Sequence, residues 1–285
     1  MDLLQVQAHY SRRSGHWRIG YAAAAEARDL ADAFQHPWQA VYCLIELAWL
    51  DAAQGNEDSC RRHVDGAVAL ASERRMQLAV LRANHALGLL HLGTGQNAEA
   101  VERLYPMVRA VERLRTSYHN LDAVPDYLEV LWRMGSPPSA DAGAELLSRC
   151  YTSDTDQDHA LTERCRGMLA DDGDFERHFR AAIEAHQTEL EPFALARTQL
   201  LYGERLRRAQ RRREAREQLR QALDAFDKLC AGPWVERARR ELGATGAKVA
   251  PRPVSVDLTP QELQIALLVA RARTIANGAP AMSKR

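Results

Sequence analysis

Lysine is almost missing from this chain of 285 residues. Lys228, Lys248 and Lys284 are the only ones, and the rest of its 38 basic residues are arginine. With alanine so abundant, that usage points to GC-rich coding and not to a function. Net formal charge is zero and the sequence pI is about 7.2, so no global field draws the chain toward nucleic acid or a membrane surface. Aromatic residues are few, β-branched runs are scarce, and no stretch alternates as a strand does, which argues against a sheet. Residues 1–10 have neither the basic start nor the apolar core of a secretory leader. The most apolar stretch, AVYCLIELAWL at 40–50, is too short to span a bilayer and carries Glu46. The cysteines, at 43, 60, 150, 165 and 230, are odd in number and scattered. That fits reduced thiols in a cytoplasm better than a disulfide framework.

What is present is helix former: leucine, alanine, glutamate and arginine dominate. Gly15, Gly55, Gly95 and Gly135 stand 40 residues apart, Gly173 follows 38 later, and the Arg211-Arg212-Arg213 turn comes next at a similar interval. Each punctuation lies between two amphipathic patterns. The spacing predicts helix pairs over 1–13 with 17–34, 38–53 with 57–72, and 76–92 with 97–115. It continues with 119–134 and 139–150, 157–171 and 174–187, then 193–210 and 213–230, with a short helix after Gly232-Pro233. In the last pair, Leu200, Leu201, Leu206 and Ala209 mark one stripe, and Ala215, Leu219, Ala222, Leu223 and Phe226 mark the other. Neither stripe is buried by its own helix. The expected fold is therefore all-α, a tetratricopeptide-like helical-repeat solenoid over 1–246. An ordinary helical bundle punctuated by glycine is the plainer alternative.

The second repeat is the clearest. Trp38, Val41, Tyr42, Ile45, Leu47 and Ala48 make an apolar first helix, and Val64, Ala67, Val68 and Leu70 follow after the turn QGNEDS. Ala52, Ala67, Ala71, Ala86 and Ala98 are small enough for close helix crossings. Pro37, Pro192 and Pro233 sit at helix starts, where a missing N–H costs nothing, and Pro125 moves its helix start to about 124. The fourth repeat is the least regular, with a long turn at 135–143. The acidic loop at 153–158 either caps the next helix or is ordinary surface.

After Gly246 the character changes. Residues 247–257 hold two prolines and no helical period, which reads as a linker. Thr259, Pro260 and Glu262 then open one amphipathic helix with a capping box, and the pattern stops near Thr274. Three pieces in order, PFALARTQLLYGERLRRAQRRREAREQLRQALDAFDKLCAGPWVERARRELGATG, a proline-containing linker and LTPQELQIALLVARART, resemble the C-terminal portion of the large ATP-binding LuxR-type (LuxR family) transcriptional regulators of actinobacteria. The match is specific over 192–274, and 1–191 shares only the texture of that family's degenerate repeats. The resemblance implies a repeat region that senses an effector or protein partner, relaying to an ATPase module and a helix-turn-helix DNA reader. This sequence departs from it twice. It contains no G-x-x-x-x-G-K-[ST] phosphate loop, and beyond Thr274 only IANGAPAMSKR follows, which lacks a turn and a recognition helix. Residues 258–285 are thus expected to be an incomplete, DNA-binding remnant, and autonomous DNA binding is not expected.

Three chemistries compete with plainer readings of the same residues. Arg205, Arg207, Arg208, Arg211, Arg212, Arg213, Arg216 and Arg220 make a run able to meet phosphates. Glu204, Glu214 and Glu217 interleave with it, and local pairs such as Glu204 with Arg208 and Arg213 with Glu217 give the duller account of a solvated face. A protein-docking surface is the third reading. Cys60-x-x-His63 and the set Cys150, His159 and Cys165 invite zinc but supply no second compact pair, and His85 and His91 are six apart. Asp171, Asp172 and Asp174 around Gly173 read as a solvated turn with a possible N-cap. No catalytic, cofactor or metal residue is nominated, and the chain is not expected to be an enzyme. The expected role is a cytoplasmic sensor or protein-interaction module, binding a protein partner or small effector on its concave face, without membrane contact. The alternative is a stand-alone scaffold unconnected to transcription.

Overall fold

A computed structural model describes residues 2–114, 123–151, 155–189 and 191–248 of the chain. Its thirteen helices among those residues are α1 (Asp2–Arg13), α2 (Trp17–Ala33), α3 (Pro37–Gln54), α4 (Glu57–Glu73), α5 (Gln77–Thr94) and α6 (Asn97–Leu114), followed by α7 (Ala123–Arg133), α8 (Ala140–Cys150), α9 (Asp156–Leu169), α10 (Phe175–Glu189), α11 (Pro192–Arg208), α12 (Arg212–Lys228) and α13 (Gly232–Ala244). No strand occurs among the described residues. The fold is all-α, and its helix pairs fall where the glycine spacing predicts them. Pro37, Pro192 and Pro233 do occupy the first turns of α3, α11 and α13. Pro125 sits in the first turn of α7, which begins at Ala123. The linker and the helix expected over 258–274 lie outside the described residues.

The turns show why a 40-residue period was visible. In eight of the turns one residue adopts a left-handed conformation: Gly15, Gln35, Gly55, Arg75, Gly95 and Gly135, and later Gln210 and Cys230. Through Gly95 these stand 20 residues apart, one per helix, and glycine takes every second one. The backbone explains the demand. Asn56 N–H donates to Asp51 O at 2.8 Å and Gly55 N–H to Ala52 O at 3.2 Å, the pair of bonds that satisfies the last carbonyls of a helix. The same pair recurs at Gln35-His36, Arg75-Met76, Gln210-Arg211 and Cys230-Ala231. A left-handed residue makes the pair possible, and non-glycine residues there carry strain that the packing offsets. Gly173 departs from the series, with no positive φ. Thr155 caps α9 by accepting from Asp158 N–H, so the acidic loop does cap its helix.

Sequential helices pack as hairpins, and the odd-numbered ones also pack on one another: α3 on α5, α5 on α7, α7 on α9, α9 on α11, and α11 on α13. The array then curls far enough that α13 packs against α3 and α5. An aromatic cluster marks this closure. The Phe193 ring lies 5.3 Å from Trp17, 5.4 Å from Trp49, 5.4 Å from Trp234 and 5.9 Å from Phe226. Edge-to-face contacts of this kind add about 0.5–1.5 kcal/mol each beyond burial. The glycine turns meet the proline starts at the same seam. A Cβ added at Gly55 would lie 2.7 Å from Pro233 Cγ, and one at Gly15 would lie 2.7 Å from Pro192 Cγ.

Some core assignments need correction. Trp38 and Tyr42, counted on the apolar stripe of α3, are 56% and 37% exposed, because the residues turned inward are Val41, Leu44, Ile45 and Ala48. Ala98 is exposed, and Ala100 occupies the close crossing.

Candidate functional site

The inner faces of the odd-numbered helices carry charge. On α7, Asp126 and Glu129 are three residues apart and both are sealed from solvent. Two arginines answer them. Arg197 of α11 places Nη1 2.7 Å from Asp126 Oδ1 and Nη2 2.5 Å from Glu129 Oε2. Arg237 of α13 donates to the other Glu129 oxygen at 2.5 Å and to Glu204 of α11 at 2.7 Å. His85 of α5 lies 2.8 Å from Asp126 through Nε2. Four helices are therefore tied through one network, with Arg197 stacked 4.6 Å over the Trp234 ring.

Burial by itself raises the Asp126 and Glu129 carboxyls. No single partner outweighs it, but Arg197 and His85 together at Asp126, and Arg197 and Arg237 together at Glu129, hold both below the ordinary carboxylate range. Desolvation pulls Arg197 and Arg237 down, yet their carboxylate partners hold both above the usual arginine value. Arg133, which donates to Leu92 O at 2.6 Å, goes the other way: burial and then Arg237 lower it to about 10. Carboxylates held so firmly as anions are poor proton acceptors near neutrality. The network suits the holding of shape and charge better than proton transfer.

Beside this network the inner face opens into a cavity of about 40 Å³. Arg12 and Arg13 of α1, Trp49 of α3, Asp126 of α7, Arg164 of α9 and Arg197 of α11 line it. Most of these cations are committed. Arg12 donates to Glu46 at 2.6 Å and stacks 4.4 Å over Trp49, and Arg13 pairs with Glu191. Arg164 differs. It is 1% exposed, yet its Nε and Nη2 meet no acceptor. His186 of α10 lies within its field, also sealed, with both ring nitrogens unpartnered. Burial and then Arg164 push the His186 imidazole down to about 3, so it stays neutral.

Apart from His85 and Glu204, which the sequence suggests for other roles, none of these residues is conspicuous in the sequence. The signal was there: Arg197 and Glu204 are seven apart on the stripe of Leu200 and Leu201, and Asp126 and Glu129 flank Leu128, itself buried. Charge inside an apolar stripe is the mark of a buried network.

The arginine run that did stand out is mostly spent on neighbouring helices. Arg205 donates to Ala170 O at 2.6 Å, Arg207 to Glu241 at 2.8 Å, and Arg216 to Thr245 O at 2.6 Å. Arg208 stacks 4.0 Å over Trp132, and Arg211 spans Glu176 and Glu214. Glu204 does not pair locally with Arg208; it is buried against Arg237. Of the candidate metal ligands, the Cys150 side chain lies outside the described residues. Among the described residues no three His, Cys, Asp or Glu side chains gather as metal ligands. Cys60 is buried, its thiol pushed up to about 12 by burial and then by Asp51, while His63 bonds Asp51 at 2.8 Å. His85 and His91 turn to Asp126 and Gln96. Asp172 is an exposed turn residue paired with Arg205 at 3.2 Å. No helix among the described residues is long and apolar enough to cross a membrane. No family model, curated protein or solved structure matches the chain.

Proposed function

We propose that the chain is the sensor region of a transcriptional regulator of the LuxR type. On this reading residues 1–246 form a tetratricopeptide-like solenoid that takes a small effector at its inner face. The observation that carries the effector role is the cavity itself, where side chains between Arg12 and Arg197 converge from five helices. A ligand held there touches α1 and α11 at once, and so favours the closed arrangement over an opened one. The link to transcription rests on the likeness of 192–274 to the last repeat, linker and first reader helix of that family. No catalytic step is assigned to the module.

A second reading has its own support. Leu3, Val6, Tyr10, Phe34 and Trp38 expose large apolar surface on α1, α3 and the turn between α2 and α3, which suits a scaffold that docks a protein. Affinity capture with the full chain as bait separates the two. Retention of RNA polymerase or promoter complexes is the expected result. A stable complex unrelated to transcription, lost when Tyr10 and Trp38 are changed to serine, overturns the regulator reading in favour of the scaffold.

A further inference from the structure

The lining of the inner cavity holds four arginines against two carboxylates. Both carboxylates are already neutralised, Asp126 by Arg197 at 2.7 Å and Glu191 by Arg13. Arg12 is neutralised in turn by Glu46. Arg164 is left as a buried cation with no direct ion pair, its charge felt by Asp126 and Glu129 only at longer range. A guanidinium removed from water without acceptors is costly to the fold, so its presence calls for a physical reason. Nε and Nη2 are the two nitrogens whose N–H bonds run parallel along one edge of the guanidinium. That edge matches two oxygens of a carboxylate or phosphate. Its neighbour His186 has no acceptor role toward it, since neither ring nitrogen is bonded.

We infer that this cavity binds a small oxyanion, free or as the acidic head of an effector, with Arg164 as the residue that grips it. The size sets the class. A water centre needs roughly 10–15 Å³, so about 40 Å³ admits a group the size of a carboxylate or phosphate and leaves any larger body at the mouth. Arg13, whose side chain is 23% exposed, lies at that mouth. Both unpartnered nitrogens are closed off from water, so binding turns the guanidinium on its long stem toward the cavity it already lines. The anion then joins α9 to the arginines of α1 and α11. This inference shares its location with the effector reading, but needs no link to transcription.

The test uses the full chain, inorganic phosphate or malonate, and chloride to hold ionic strength constant. Isothermal titration and thermal melting should show saturable binding to at least one of the two anions and a raised Tm. Arg164→Met should weaken that binding at least about tenfold, as expected for loss of a bidentate charged partner. In anion-free buffer Arg164→Met removes both an unpaired buried charge and a longer-range attraction for Asp126 and Glu129, so the comparison rests on the anion-induced gain in Tm and not on absolute Tm. Arg164→Lys keeps the charge but not the parallel edge, and should fall between them. Arg211→Ala, far out on the arginine run, should bind like the parent. Failure of both anions to bind overturns the inference. So do equal Tm gains in the parent and Arg164→Met, which would be a general salt response, and loss of binding in Arg211→Ala. Anion binding without any transcription partner in the capture experiment would remove the regulator reading and leave this one standing.

Discussion

Two populations of arginine divide the molecule. The run from Arg205 to Arg220 is dense in sequence and turns mostly toward its neighbours, with Arg205, Arg207, Arg208, Arg211 and Arg216 each meeting a nearby carboxylate, carbonyl or ring. Arg164, Arg197 and Arg237 are more than thirty residues apart in sequence, yet they gather at the centre of the curl, all under 5% exposed. The first group is conspicuous and mostly works as mortar. The second is inconspicuous and carries the charge that a ligand would meet. Sequence density is therefore a poor guide to electrostatic importance in a repeat array, because curvature brings together residues that no linear window contains.

The comparison breaks most sharply at Glu129, which neutralises Arg197 and Arg237 together. Glu129→Ala leaves two buried guanidinium groups without that carboxylate and should destabilise the fold by about 3–5 kcal/mol. Urea unfolding measures it. Glu129→Gln keeps the shape and one acceptor, and should lose less. A loss below about 1 kcal/mol for Glu129→Ala would mean that the inner network is no more demanding than the outer run.

Next in size is the seam where the curl closes. Gly55 (φ +86°) and Gly135 (φ +74°) share the same left-handed backbone, but an added Cβ would meet Pro233 at 2.7 Å at Gly55 and nothing within 4 Å at Gly135. Gly135→Ala should cost about 1–2 kcal/mol, the usual left-handed penalty. Gly55→Ala should add about 1–3 kcal/mol for overpacking against Pro233, and Pro233→Ala in the same chain should recover part of it. Equal losses at the two glycines would show that the closure of α13 on α3 and α5 contributes little.

Much of this architecture was legible before the fold was seen. Helix starts and stops follow from local demands, the proline first turns and left-handed caps, which a sequence window contains whole. The inner site was not legible, because each of its contacts spans distant helices: Arg197 meets Asp126 71 residues away, and Arg237 meets Glu129 across 108. Local patterning also misassigned Trp38, since an apolar residue at the start of a helix near the edge of an array need not face inward. The expected Glu204–Arg208 pair failed for the complementary reason. A buried partner on α13 outcompeted a solvent-screened neighbour.

A third test sharpens the contrast through pH. The His186 imidazole is held down to about 3 by burial and then by Arg164, against about 6.5 in an unfolded chain. Between those values the unfolded state binds more protons, so stability must fall as pH drops below about 6.5. The slope reaches at most about 1.4 kcal/mol per pH unit. Asp126 and Glu129, whose folded values are depressed, keep their contribution above about pH 4 and lose it only as pH falls further, through their folded values. The window between pH 4 and 6.5 thus separates the buried histidines from these carboxylates, and because burial also lowers His91, the His186 share is read from a substitution. His186→Phe should flatten unfolding curves there, and an unchanged slope would place the proton elsewhere.

The smallest effect belongs to the outer run and completes the contrast. Arg211 spans Glu176 and Glu214 across two helices, with 34% of its side chain exposed. Its hydrogen bonds to Glu214 and then Glu176 raise it above the ordinary arginine value. Pairs this accessible are screened by solvent, and exposed ion pairs contribute about 0.2–1 kcal/mol. Arg211→Ala should therefore cost less than about 1 kcal/mol, and that cost should shrink in 1 M salt, where the screening length is about 3 Å. The penalty at Glu129 should persist in the same salt, because ions do not reach a sealed network. A salt-insensitive loss at Arg211 would place it with the inner arginines, and the division between mortar and site would then have to be redrawn around α10 and α12.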